Sequence, residues 1–435
     1  MTIEELYRRF QRHPVVTTDS RHCPAGSLFF ALRGGQFDGN RFAAQALRDG
    51  CALAVVDDAG VVPEGDGRYV VVDDALRAYQ LLAREHRRRF RGPVIQITGT
   101  NGKTTTKELT AAVLAKHYNV LSTQGNLNNH IGVPRTLLSL RPEHTLAVVE
   151  TGANHPGEIK TLTEIVEPDC GLITNVGRAH LEGFGSFEGV KRTKGELYDW
   201  LRCRKDGFIF LCADNADLTA MATGLKALTY GRPRGDGSMT VVGEVTGCSP
   251  YLSLRWRRTG SDAWHGVQTR LIGAYNIDNV LAAVTAGVHF GVSDEDIVAA
   301  LEGYEPTNNR SELRVTPHNR LIVDAYNANP TSMRAALENF KAMAGGPKMA
   351  ILGEMRELGE VSEEEHRSVL SQIEDCGLET VWLVGENFCR LSPNCRCFKD
   401  VEAVKQALAE TPVEGKLILI KGSNGTRLFE LPDVL

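Results

Sequence analysis

The stretch VIQITGTNGKTTTKEL, residues 94–109, brings together residue types suited to holding phosphate. Gly99 and Gly102 shape a loop that follows a short run of buried-strand character. Such a loop turns successive backbone N–H groups toward one point, and the helix N-terminus behind it adds partial positive charge. Lys103 would neutralise β- and γ-phosphates, and Thr104 would offer its hydroxyl to Mg²⁺. Gly99, Thr100, Asn101, Gly102, Lys103, Thr104 and Thr105 are therefore the candidate nucleotide-binding residues. The spacing departs from G-x-x-x-x-G-K-[ST], because Ile97 stands six positions before Lys103 and the loop is two residues tighter. A plain polar turn between strand and helix would fit the same letters.

Other reactive side chains stand at the ends of apolar runs, where open α/β sheets place their sites. Glu150 ends LAVVE and could reach a metal held by the phosphate loop; a capping or surface glutamate is the simpler alternative. His180 follows GLITNVG, and a lone histidine is more often a packed or surface residue than a ligand. Asp324 ends RLIVD and could accept hydrogen bonds from a ribose, or cap the turn before NANP.

The elements that must position these groups fall into three regions. Up to about residue 88, short strands such as SLFFALRG and CALAVVDD alternate with helical stretches. From RGPVIQIT onward, apolar runs at 94–97, 146–149, 172–176 and 208–211 recur between helical patterns, as in a parallel sheet covered on both faces. Residues 226–272 alternate instead and predict a small antiparallel insert. From Ser311 the runs RLIVDAYN, KMAILGEM, TVWLVGEN and KLILIKGS predict a separate doubly wound sheet. The fold class is thus α/β in three domains, 1–88, 89–310 and 311–435, with swivelling expected about 88–93 and 305–312.

Composition narrows the function. Across 435 residues, 42% are apolar and 24% charged, and the net charge of −5 argues against bulk nucleic-acid binding. REHRRRFRG at 84–92 reads as a solvated helix face or linker. No run is long enough to span a membrane, and MTIEELYRRFQRH reads as an amphipathic helix without the apolar core of a signal peptide. The ten cysteines form no C-x-x-C pair, so a zinc site around Cys389, Cys395 and Cys397 is not expected; free thiols fit a reducing cytoplasm.

Six stretches in order, ITGTNGKTTTKE, GNLNNHIGVP (125–134), VVETGANHPGEI (148–159), AHLEGFGSFEGVKRTKGE (179–196), YNIDNVLAA (275–283) and VDAYNANPTSM (323–333), resemble the Mur ligase family. TTDSR (17–21) and GSLFFALRGGQFDGNRF (26–42) are similar to its uridine-nucleotide-binding domain. The resemblance covers nearly the whole chain. It implies an N-terminal α/β UDP-binding domain, a central phosphate-loop ATPase domain and a C-terminal Rossmann-like domain that closes on ATP. Within the family it points to the member joining D-alanyl-D-alanine to UDP-N-acetylmuramoyl-tripeptide. The implied route is an acyl phosphate made from ATP, then attack by the dipeptide amine, in a cytoplasmic monomer.

By the same resemblance, Thr104 and Glu150 hold one Mg²⁺ and His180 a second. Lys194 takes the place of a lysine carbamylated in several relatives; a carbamate converts a cation into an oxygen donor for Mg²⁺. An ordinary salt-bridged lysine is the alternative, and Lys191 the weaker candidate. Asn276, Asn279, Arg310 and Asp324 fall to ATP, Asn327 and Asn329 to the dipeptide, Asn126, Asn128 and Asn129 to the muramoyl tripeptide, and Ser20 and Arg21 to the uridine diphosphate. Three departures stand out: Tyr275 replaces a histidine, Asn309 a glycine, and KGSN (421–424) a KGSR-like motif. The absence of a DNPR-like motif argues against the ligase adding the third peptide residue. Residues 1–88 argue against a folate polyglutamate ligase. The retained Lys103, Thr104, Glu150 and His180 argue against a phosphate-loop switch.

Overall fold

The computed structural model describes residues 1–234, 237–306, 311–378, 380–392 and 395–435. Three sheets follow one another along the chain. The first is all parallel, with strands β1 (Val16–Thr17), β2 (Leu28–Phe30), β3 (Leu53–Val56) and β4 (Tyr69–Val71) in that order. A helix at Ile3–Arg12 starts on a capping box, Thr2 accepting from the Glu5 amide and Glu5 from the Thr2 amide. It buries Leu6, Tyr7 and Phe10, the apolar stripe visible in the sequence.

The second sheet has nine strands. They are β5 (Val94–Thr98), β6 (Val120–Ser122), β7 (Leu146–Glu150), β8 (Cys170–Ile173), β9 (Phe208–Cys212), β10 (Lys226–Gly231), β11 (Val241–Cys248), β12 (Tyr251–Arg258) and β13 (His265–Ile272). Their order is β13-β12-β11-β10-β9-β8-β5-β7-β6. The chain leaves β5 toward β6 on one side and later returns to β8 on the other, so a crevice opens at the carboxyl end of β5. The antiparallel strands occupy only 241–272 of the expected insert 226–272, and they are not detached. β10 pairs parallel with β9 and β11, and only β11, β12 and β13 run antiparallel, widening the central sheet.

The third sheet orders β14 (Glu312–Val315), β15 (Arg320–Asp324), β19 (Leu417–Lys421), β16 (Lys348–Gly353), β17 (Thr380–Val384) and β18 (Arg396–Phe398). All but β14 are parallel.

Two expectations change at the first joint. Leu6, Phe10, Leu82, Val133, Leu137, Val149 and Ile165 belong to one buried cluster that runs through both units. Each such side chain contributes about 1.5–3 kcal/mol when buried, so residues 88–93 are a packed joint rather than a swivel. The basic run is a solvated face at Arg88, Arg89 and Arg91 but not at Arg87. Arg87 is buried and donates to the carbonyls of Val166 (3.0 Å) and Glu167 (3.0 Å) and to Asp169 (2.8 Å). Arg88 pairs with Glu167 at 2.6 Å. Arg87 satisfies the carbonyl end of the helix Glu158–Val166, Arg88 pairs with the Glu167 carboxylate beyond it, and the two arginines hold the units together. Part of the second joint, with Asn309 and Arg310, lies outside the described residues.

Candidate active site

Gly102 caps the helix Lys103–Leu114 in a left-handed conformation, φ 76°. Any Cβ there would meet Asn279 Oδ1 at 2.6 Å, so the position needs glycine for space as well as for backbone. The loop is pinned from β8. The apolar run 172–176 looks like strand, yet β8 ends at Ile173 and the next residues turn to cradle the loop. Thr100 N donates to Asn175 O (2.9 Å), Asn101 N to Asn175 Oδ1 (3.0 Å), and Thr174 Oγ1 to Asn101 O (2.6 Å). Two of the loop's amides, those of Thr100 and Asn101, are thus committed to Asn175 and are not left for a phosphate. Lys103 Nζ donates to Thr100 O at 2.9 Å.

Glu150 is fully buried at the end of β7. Its Oε1 accepts from Asn128 Nδ2 at 2.8 Å, while Oε2 has no hydrogen-bond partner. Thr104 Oγ1, also buried, likewise lacks a partner. A carboxylate and a hydroxyl left unpaired at the carboxyl edge of neighbouring strands are hard oxygen donors. They fit a divalent cation.

Lys194 sits on the helix Phe187–Arg202 with its ammonium inside the protein. It donates weakly to Ala153 O (3.4 Å) and lies over the Phe184 ring. Burial, reinforced by Lys103, pushes its pKa down to about 7, against the pull of Glu158 and Glu196. Lys191 is the opposite case: Asp217 at 2.7 Å and Glu188 at 3.1 Å hold it charged and raise its pKa. His180, on a left-handed backbone (φ 51°), is lowered by burial, while Glu357 opposes and Lys103 adds to the shift.

One cavity of about 1140 Å³ takes in Lys103, Glu150 and His180, whereas the buried Thr104 and Lys194 are not part of its lining. Its lining includes Thr100 to Lys103, Thr105, Asn126, Asn128, Asn129, Glu150, His180, Asn276, Asn279, Asp324 and Asn327. Gln80 and Leu76 reach it from the first unit, and Tyr326, Thr331 and Lys421 from the third. At this size it exceeds an ordinary single-ligand pocket.

Several expected residues have other tasks. Asn129 Oδ1 accepts from Ile131 N and Gly132 N, capping a helix start, although the residue still lines the cavity. Asn276 donates to Ile272 O and accepts from Asn279 (2.8 Å), which in turn accepts from Thr106 Oγ1 (3.0 Å). This chain braces the phosphate loop rather than presenting free amides. Asn329 caps the helix Pro330–Ala342 and bonds Asn101 Oδ1 at 2.8 Å, a tie from the third unit to the loop. Ser20 and Arg21 lie outside the cavity, beyond the carboxyl end of β1, with Arg21 paired to Asp19. Arg310 lies outside the described residues.

The sequence reading missed Lys421, Asn175 and Glu357. Lys421 is buried at the end of β19, 2.6 Å from Asp324 Oδ2 and 3.2 Å from Asn327 O. A lysine closing an apolar run, LILIK, was the available signal. Tyr275 joins Ser311 Oγ at 2.9 Å across the second joint.

Among known proteins, residues 14–89 match the catalytic domain description of the Mur ligase family, 97–287 the Mur ligase middle domain and 309–424 the Mur ligase glutamate ligase domain. The chain is 34% identical over 436 residues to the UDP-N-acetylmuramoyl-tripeptide--D-alanyl-D-alanine ligase of Bacillus subtilis, covering 96% of this chain and 92% of that one. It is similar to a crystal structure of MurF from Acinetobacter baumannii, with TM-score 0.86, 30% identity and 99% and 98% of the two chains covered. A MurF ligase from Thermotoga maritima in complex with ADP superposes with TM-score 0.84 at 25% identity, covering 97% and 96%.

Proposed function

Because the chain belongs to the Mur ligase family, we propose that it joins D-alanyl-D-alanine to UDP-N-acetylmuramoyl-tripeptide at the expense of ATP, in peptidoglycan precursor synthesis. The observation that carries this reading is the single cavity to which all three units contribute around the phosphate loop. A switch needs a nucleotide pocket alone; a ligase must bring a nucleotide and two further substrates to one point.

The chemistry sets the requirements. A tripeptide carboxylate oxygen must attack the γ-phosphorus and expel ADP, although both reactants are anions. Lys103 and the amides heading its helix neutralise the phosphates. Thr104 and Glu150 would hold Mg²⁺, and His180 with a carbamylated Lys194 a second ion; the positive charge so supplied would offset the repulsion between the phosphates and the approaching carboxylate. Asn128 fixes the Glu150 carboxylate. Lys194 is held close to neutrality, as an amine must be to add to CO₂ and shed a proton. The acyl phosphate is then attacked by the dipeptide amine, and a tetrahedral intermediate collapses with loss of phosphate. Asn327 and Lys421 line the cavity from the third unit, Lys421 paired with Asp324, so that a peptide carboxylate would find the Asn327 amide there. Asn276, Asn279 and Asp324 are assigned to the nucleotide side, and Asn126 and Asn129 to the muramoyl peptide. Ser20 and Arg21, past the end of a parallel strand, are assigned to the uridine diphosphate.

Among the described residues no helix is long and apolar enough to cross a membrane. With ten free cysteines, the proposed setting is the cytoplasm, and the proposed state a monomer. Phosphate release is the test. It should require UDP-N-acetylmuramoyl-tripeptide and D-alanyl-D-alanine together; release that ignores both substrates would remove the ligase assignment.

A further inference from the structure

The loop between β16 and the helix Ser362–Asp375 leaves the third sheet and lands on the segment that carries His180. Glu357 Oε2 is the hydrogen-bond partner of His180 Nδ1, across 177 positions of sequence. Glu182 N donates to Glu357 O at 3.3 Å. Gly359, φ 57°, lets the loop approach so closely that a Cβ would lie 3.4 Å from Glu182 Cα. A second ion pair, Arg178 with the buried Glu365 at 2.8 Å, closes the same seam. Both His180 and Glu357 hold left-handed backbones, φ 51° and 63°. That conformation costs a non-glycine residue roughly 1–2 kcal/mol, so the contacts between the two segments must maintain it.

An imidazole that binds a metal through one nitrogen is commonly oriented by an acceptor on the other. A carboxylate at Nδ1 fixes the proton there and leaves the Nε2 lone pair for the cavity that His180 lines. We propose that Glu357 is a positioning residue: it holds His180 in its metal-binding tautomer from the third unit, so the cation site is complete only when that unit is docked. The proposal rests on the reading of His180 as a metal ligand. It makes domain docking and divalent-cation affinity two sides of one equilibrium, since whatever binds only the docked form stabilises that form.

The test compares wild type, Glu357→Ala, Glu357→Gln and His180→Ala. Mn²⁺ binding in the presence of a non-hydrolysable ATP analogue is followed by electron paramagnetic resonance, and ligation is followed as a function of Mg²⁺. Glu357→Ala should weaken Mn²⁺ binding about 10-fold, raise the Mg²⁺ needed for half-maximal rate by the same factor, and be rescued by excess Mg²⁺. Glu357→Gln keeps an oxygen that can accept the Nδ1 proton and should stay close to wild type. Should Glu357→Ala not fold, Glu357→Asp, which withdraws the carboxylate by one methylene, carries the same expectation. If His180→Ala weakens Mn²⁺ binding and the Glu357 variants do not, the positioning role is overturned and the metal reading stands. If His180→Ala also leaves Mn²⁺ binding unchanged, both fall.

Discussion

Replacing Lys194 by Met should make the protein more stable and, at the same time, inactive as a ligase. The side chain is wholly buried, and its pKa is pushed from 10.5 down to about 7 by burial and by Lys103. In the unfolded chain the amine keeps its ordinary value, so between about pH 7 and 10.5 the unfolded state binds more protons. Stability therefore rises with pH across that window, and the penalty is fully present below about pH 7. At 1.36 kcal/mol per pH unit, the penalty near pH 7 is on the order of 4 kcal/mol. Met fills the same space without a charge, so the central unit should gain roughly 10 °C in unfolding midpoint near pH 7. The gap should shrink as pH approaches 10. Calorimetry in CO₂-free buffer reads both. Adding bicarbonate should then raise the midpoint of wild type alone, because only a lysine can form the carbamate and a ligand of the native state stabilises it. A Met variant less stable than wild type, with a pH-independent gap and the same response to bicarbonate, would refute the reasoning.

Lys103→Ala should abolish turnover in the phosphate-release assay, and near-normal ligation by that variant would contradict the nucleotide assignment. Gly102→Ala must move Asn279, 2.6 Å from the new Cβ, and leave a left-handed backbone occupied by alanine; titration calorimetry with an ATP analogue should show loss of binding by at least about 10-fold, equivalent to 1.4 kcal/mol. Arg87→Met leaves Asp169 and the carbonyls of Val166 and Glu167 without their buried donor. Asp169 is partly exposed and keeps Arg204 and the Val94 amide, so the loss is that of the two carbonyls' donors, roughly 1–3 kcal/mol at the first joint, seen as early hydrogen exchange in the helix Ala75–Arg89.

What the sequence displayed was local chemistry. Gly99 to Thr105 declares a phosphate loop because the glycines, lysine and threonines are neighbours along the chain. Glu150 and Asp324 are visible because they close apolar runs. The alternation of 226–272 showed the antiparallel strands, but not that 226–231 is parallel and attaches them to the central sheet by pairing β10 with β9. Groups that meet only after folding were hidden. Lys421 finds Asp324 across 97 positions, and Glu357 finds His180 across 177. Arg87 carried the signature of a solvated basic run, and only packing against the helix Glu158–Val166 turns it into a buried tie. Asn129 and Asn329 were legible as polar, yet helix ends claim their side chains because an uncapped first turn leaves amides unpaired.

Where a divalent ion settles is the decisive measurement. A crystal grown with Mn²⁺ and a non-hydrolysable ATP analogue gives that position directly from anomalous scattering. The prediction is a manganese peak bonded to Thr104 Oγ1 and Glu150 Oε2, both buried oxygens without partners, with the triphosphate lying along residues 99–105. A triphosphate lodged elsewhere, or a metal that leaves both oxygens untouched, would contradict it.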